Sequence, residues 1–236
     1  HPLGHWKDCA LMVRGAAVQT LTVMFLTAFD AQDATRLENY DEFVPERYEY
    51  FDEEGIVQPF GDGPRPLYET HVAENVILDM INGAKKYIYI TTPYLIINNN
   101  LSSALCRAAI SGVDVRIVTP RIPDKKIVFW ITRRNYRKLL ASGVKIYEYL
   151  PGFVHAKTYL SDDEVGMVGT INMDYRSLVH HYECGVWMYK TACLKDIRRD
   201  LESLFPECEQ MTPESARLSV PKRVISALGS LFAPML

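Results

Sequence analysis

The chain lacks any uninterrupted apolar run of the roughly 18 residues that a membrane-spanning helix needs. The nearest approach, Ala10 to Phe29, is broken by Arg14 and Gln19 and reads as a strand followed by a packed helix. Cysteine is scarce and odd in number. Cys9, Cys106, Cys184, Cys193 and Cys208 include no Cys-x-x-Cys pair, which argues against a disulfide framework or a zinc site and for reduced cytosolic thiols. There is no excess of positive charge: 26 Lys and Arg against 29 Asp and Glu leave a net charge of -3. That balance disfavours a nucleic-acid partner, although local patches matter more than the total. No signal peptide follows His1, and a start at His implies a fragment or a processed chain. The remainder, 48% hydrophobic and 23% charged over 236 residues, has the composition of a globular protein with a real core.

Period and punctuation give the elements. Residues 6–14 read as a strand and 16–29 as a helix. Residues 30–54 hold ten acids against Arg36 and Arg47, the pattern of a solvated linker or irregular loop. A new unit starts at Ile56 with a strand to Phe60, a turn at Gly61-Asp-Gly-Pro64 and an amphipathic helix over 68–82. Strands over 87–92, 113–119 and 144–149 alternate with helices over 101–111 and 126–141. A strand pair over 157–160 and 164–169, a strand over 184–189 and a helix over 194–204 complete the series. Strands alternating with helices predict an α/β domain, a mixed central sheet flanked by helices.

Two motifs stand close together. The first is His155-x-Lys157-x-x-x-x-Asp162; the second is Gly169-Thr170-x-Asn172-x-Asp174-x-Arg176-Ser177. On a strand, His155 and Lys157 fall on one face. An imidazole beside an ammonium can cradle a phosphate oxygen, and imidazole titrates near neutrality, so it can attack phosphorus or carry protons. The Asn172 amide can add a hydrogen bond to a phosphoryl oxygen.

Together these motifs resemble the signature of the phospholipase D superfamily. That resemblance implies a phospholipase D-like (HKD) fold and a phosphohistidine mechanism with two histidines, one from each of two repeats, and neither metal nor cofactor. It implies His155 as one catalytic histidine, Lys157 and Asn172 as phosphate ligands and Glu183, 28 residues on, as the acid that orients His155. Asp162 completes the catalytic motif, with a structural role through nearby backbone or basic neighbours. Tyr94 at the pocket mouth and Ser177 join the substrate-binding set. A finer likeness, to bacterial cardiolipin synthases, rests on Gly4-His-Trp-Lys-Asp8, Val57-Gln-Pro-Phe-Gly-Asp62, Thr92-Pro-Tyr94, Pro151-Gly-Phe-Val-His-Ala-Lys157, 169–177 and the ending 231–236. It implies phosphatidylglycerol and anionic membrane lipid as partners, no nucleic acid, and a parent protein on the cytoplasmic side of a bacterial membrane.

The chain also echoes itself. With Lys7 skipped, His5-Trp-Lys-Asp-Cys aligns with His181-Tyr-Glu-Cys, so Asp8 falls on Glu183 and Cys9 on Cys184. This makes 1–55 a remnant of a first repeat plus an acidic linker, and 56–236 the second repeat. Asp8 would then back a histidine about 28 residues earlier, before residue 1. Residues 1–29 are expected to form an incomplete half-domain with an unpaired sheet edge. From Arg121 to Lys138 there are seven basic residues and one acid, and 224–236 is amphipathic; either segment suits a lipid surface, a solvated face or domain packing. Two rivals to a synthase remain at this level: a phosphodiesterase or nuclease using the same site, and a lipid-binding fragment without turnover.

Overall fold

A computed structural model describes residues 2–31, 39–51 and 53–232. In chain order the elements are β1 (His5–Lys7), α1 (Ala17–Asp30), β2 (Ile56–Asp62), α2 (Val72–Gly83), β3 (Tyr87–Thr91) and β4 (Leu95–Ile96). Then come α3 (Asn99–Ile110), β5 (Asp114–Pro120), α4 (Lys126–Ala141), β6 (Lys145–Tyr149), β7 (Gly152–Val154) and β8 (Thr158–Ser161). The series closes with β9 (Val165–Gly169), β10 (Met173–Asp174), β11 (Glu183–Tyr189), α5 (Leu194–Leu204), β12 (Cys208–Gln210) and α6 (Val220–Ser230).

The main sheet has eight strands in the order β12-β6-β5-β3-β8-β9-β11-β2. β3, β5 and β6 run parallel, and the other pairings are antiparallel. Strand alternation fills both faces. Ile88 and Ile90 of β3 point into the larger core with Ile77 of α2, Leu105 of α3 and Leu139 of α4. Tyr87 and Tyr89 point the other way, onto Leu194, Ile197 and Leu201 of α5. The result is the mixed sheet between helical layers that the sequence predicts.

Three expectations change. The strand over 6–14 survives only at His5–Lys7; Cys9, Leu11 and Val13 instead pack across the second face of the sheet. Their alternation reflects burial on that face, not a hydrogen-bonded ladder. The amphipathic helix begins at Val72, because the Asp62 carboxylate, ten residues earlier, accepts the Ala73 N–H at 2.7 Å and fixes the start. The N-terminal segment is not left with a bare edge either. β1 pairs in parallel with β7, and Lys7 reaches Asp200 of α5 at 2.6 Å. Residues 32–38 of the acidic stretch and 233–236 of the C-terminal motif lie outside the described residues.

Candidate active site

His155, Ala156 and Lys157 fill the gap between β7 and β8 and belong to neither strand. Their position is set from the N-terminal segment. The β1–β7 register pairs His5 with Gly152 and Lys7 with Val154. Gly152 makes this approach possible: a Cβ there would stand 2.1 Å from the His5 carbonyl oxygen. Beyond the ladder the Lys7 carbonyl accepts the N–H groups of His155 at 2.7 Å and Ala156 at 3.2 Å. The next residue, Asp8, therefore lies alongside His155.

The imidazole is held at both nitrogens. Nδ1 meets Asp8 Oδ2 at 2.9 Å, and Nε2 meets Lys157 Nζ at 2.8 Å. A carboxylate only accepts and an ammonium only donates, so this network assigns the proton to Nδ1 and leaves the Nε2 lone pair facing Lys157. Trp6 lies against the ring, with centroids 5.0 Å apart. The His155 side chain keeps 40% of its surface exposed, whereas Lys157 is buried. One nitrogen is thus fixed by an anion, and the other opens toward a cation that an incoming phosphoryl oxygen would share.

Partial burial pushes the Asp8 carboxyl up, but the bonds from His155 and from the Cys9 N–H outweigh it and hold the group below its ordinary value. Lys157 goes the opposite way. Burial lowers its ammonium to about 8, although Asp8, Glu183 and Asp174 all pull it upward. A lysine depressed in the fold binds fewer protons than in the unfolded chain between about 8 and 10.5, so its contribution to stability rises with pH across that window. Anion binding follows the charge instead. Affinity for a soluble phosphodiester, measured by calorimetry, should hold from pH 6 to 7 and fall through about pH 8. An affinity that stays flat to pH 10 would show that Lys157 is not the ligand.

The sequence places Glu183 on His155, and the structure corrects this. The Glu183 carboxylate accepts a hydrogen bond from the Thr170 hydroxyl and lies 3.8 Å from His181 Nδ1. Burial raises its pKa. The acid at His155 is Asp8, brought there by parallel pairing across a separation of 147 residues. Asp8 accordingly does not wait for an earlier histidine. Its one signal in the sequence was the echo that aligns it with Glu183.

Asp162 stands away from the imidazole. It adopts a left-handed conformation, φ 56°, and its carboxylate accepts the N–H groups of Lys85, Lys86 and Tyr87 at 2.6 to 2.8 Å. It ties the β8–β9 turn to the start of β3, a structural role that removes it from the catalytic set. The second motif lies close by. β10 pairs with β4, the Met173 N–H donates to Thr92 Oγ1, and the Thr92 hydroxyl donates to the Tyr94 carbonyl. Tyr94 gives its hydroxyl to Asp124 and senses the charge of Asp174, so it flanks the second motif. Asn172 hydrogen-bonds Asp174, and its Oδ1 has no partner among the described residues. Ser177 donates its backbone N–H to Asp174 and is buried, which suits a support for the loop better than a substrate contact.

A buried Lys and an acid-held His at the end of a mixed sheet, with a Gly-Thr-x-Asn loop beside them, are the arrangement of a phospholipase D-like domain. The chain belongs to the family described as cardiolipin synthase, PLD-like domain, whose model matches residues 77–205. It is 37% identical over 237 residues to a cardiolipin synthase of Geobacillus sp. strain WCH70, covering 99% of this chain and 46% of that one. It is 36% identical over 241 residues to cardiolipin synthase 1 of Staphylococcus aureus strain COL, covering 99% and 47%. The chain thus spans about half the length of the curated relatives it matches. Among solved structures, a phosphatidylserine synthase from Haemophilus influenzae Rd KW20 superposes with TM-score 0.62 at 14% identity, over 91% of this chain and 59% of that one. Nuc of Salmonella typhimurium, a phospholipase D family member, gives TM-score 0.56 at 19% identity, over 67% and 99%. These two likenesses establish the fold.

Proposed function

We propose that this chain supplies the second half of a cardiolipin synthase, acting at the cytoplasmic face of a bacterial membrane. The reaction would move a phosphatidyl group from one phosphatidylglycerol to the glycerol headgroup of another, yielding cardiolipin and free glycerol. The observation that carries this reading is the His155 imidazole, fixed by Asp8 at Nδ1 and facing buried Lys157 at Nε2. Residues 1–55 would be the end of the first repeat with its linker, and 56–236 the second.

The chemistry needs two histidines. One attacks phosphorus through Nε2, forming a P–N bond as the P–O bond to the leaving glycerol breaks. The other gives its proton to that glycerol oxygen. It then takes a proton from the headgroup hydroxyl of the second phosphatidylglycerol. That oxygen attacks phosphorus, the P–N bond breaks, and the starting protonation is restored. His155 supplies one of these groups, Lys157 and Asn172 hold the phosphoryl oxygens, and Tyr94 borders the entrance. Asp8 comes from the first repeat yet holds the histidine of the second. By the same exchange Glu183, its counterpart in the echo, would orient the histidine of the first repeat. This keeps Glu183 in the catalytic set with a different client.

The test is product analysis with the two-repeat protein and phosphatidylglycerol carrying labelled headgroup glycerol. One labelled glycerol released per cardiolipin formed is the expected result. Phosphatidic acid as the main product would make the enzyme a hydrolase. Cleavage of single-stranded DNA without any cardiolipin would make it a nuclease.

A further inference from the structure

A groove of about 870 Å³ lies between α4 and the segment 213–226, remote in sequence from the His-x-Lys motif. Its walls carry Arg133, Arg134, Arg137, Lys138, Arg217 and Arg223, and no Asp or Glu lines it. Arg133 is already used, since it pairs with buried Glu148. The other five are exposed, and none makes an ion pair with a described residue. Glu214, close enough to Arg217 to feel its charge, stands outside the lining. In a chain of net charge -3, five unpaired cations along one groove need an anionic counterpart.

The neighbouring helix says which kind. α6 meets α4 through Lys222 over the Trp130 ring, buried Ser226, and Gly229 against Ile131 and Ile127. With about 100° per residue, Val220, Val224 and Leu228 project from the opposite side. They are 70%, 54% and 59% exposed, and Leu231 and Phe232 extend the apolar surface just past the helix. Apolar side chains standing beside a basic groove match a bilayer interface, where hydrocarbon sits next to headgroup phosphate. A nucleic-acid backbone would satisfy the cations but leave this apolar crest in water. α4 also runs up to the mouth of the site, where Lys125 approaches the Tyr94 ring and Asp124 accepts its hydroxyl.

We infer that the α4–α6 face is a docking surface for an anionic phospholipid bilayer, separate from the catalytic pocket. Its cations engage lipid phosphates, and its crest enters the interface. The surface stands whether or not the domain makes cardiolipin.

The test is flotation of the full chain with vesicles of phosphatidylglycerol and phosphatidylcholine mixed, or of phosphatidylcholine alone. Wild type should bind the anionic vesicles and lose them as salt rises. At about fivefold per charge removed, Arg134→Glu with Arg137→Glu should weaken binding at least roughly 25-fold. Leu228→Ser should weaken binding at low salt while leaving its salt dependence unchanged, because the lost contribution is apolar and not screened. His155→Ala should bind like wild type, because the pocket is not the anchor. Circular dichroism and thermal melting keep misfolded variants out of the comparison. If His155→Ala loses the vesicles while the double arginine variant keeps them, lipid is held in the pocket and the docking surface does not exist. Equal binding to phosphatidylcholine alone, or displacement of vesicles by a single-stranded oligonucleotide that the double arginine variant fails to bind, would also overturn the proposal.

Discussion

Replacing His155 with alanine in the two-repeat protein should abolish cardiolipin formation while leaving the fold standing. The imidazole is the group at this motif able to attack phosphorus or move the glycerol proton at neutral pH. Loss of general acid–base help alone costs about 10² to 10⁴ in rate, and loss of a covalent route costs more. Structure should survive because the side chain is 40% exposed and its removal forfeits an exposed hydrogen bond to Asp8, the bond between Nε2 and Lys157 Nζ and a ring contact with Trp6. A stability loss of about 1 to 3 kcal/mol is expected from those two bonds. Turnover should be followed by lipid chromatography alongside thermal melting. Activity within tenfold of wild type, on a protein that melts normally, would remove His155 from the mechanism.

Asp8→Asn should lower turnover by about 10² to 10⁴, through His155 and not through folding. A carboxylate accepts the Nδ1 proton and so keeps the Nε2 lone pair toward the substrate. An asparagine amide can donate to Nδ1 instead, which moves the proton to Nε2 and blocks attack. Nitrogen-15 NMR of the imidazole reads this directly: the Nδ1–H form in wild type and the Nε2–H form in Asp8→Asn. Glu183→Gln should leave the His155 tautomer unchanged, since Glu183 is bonded to Thr170. If instead Glu183→Gln switches the tautomer and Asp8→Asn does not, the pairing seen here is not the one that operates.

Local chemistry made much of the molecule legible. The 126–141 and 194–204 helices show an apolar period in their own residues, and both match the structure at both ends. His155 and Lys157 are legible because a cation and an imidazole two residues apart, followed by Gly-Thr-x-Asn, form an uncommon combination. The orienting acid was not legible in the same way. Asp8 reaches His155 through the parallel β1–β7 register, and nothing in either segment encodes that the other lies beside it. Asp162 was legible as a structural residue, but its partners were not, for a related reason. Its three backbone hydrogen bonds depend on the left-handed turn after β8 meeting the start of β3, a contact that spacing within the motif does not contain.

The central claim is that Asp8 and His155 form one half of a site whose second histidine lies in another polypeptide segment. Residues 1–236 hold two His-x-Lys runs, His5-Trp6-Lys7 and His155-Ala156-Lys157, but only the second is followed by a Gly-Thr-x-Asn run. His5 bonds the Tyr149 hydroxyl and Lys7 pairs with Asp200, which leaves His155 as the candidate catalytic histidine. The decisive measurement gives the purified chain phosphatidylglycerol in mixed micelles, with its mass followed by light scattering, alone and then with the preceding repeat added as a separate polypeptide. The account predicts no cardiolipin from the monomer and recovery when the second repeat is supplied. Robust cardiolipin synthesis by a verified monomer would contradict it.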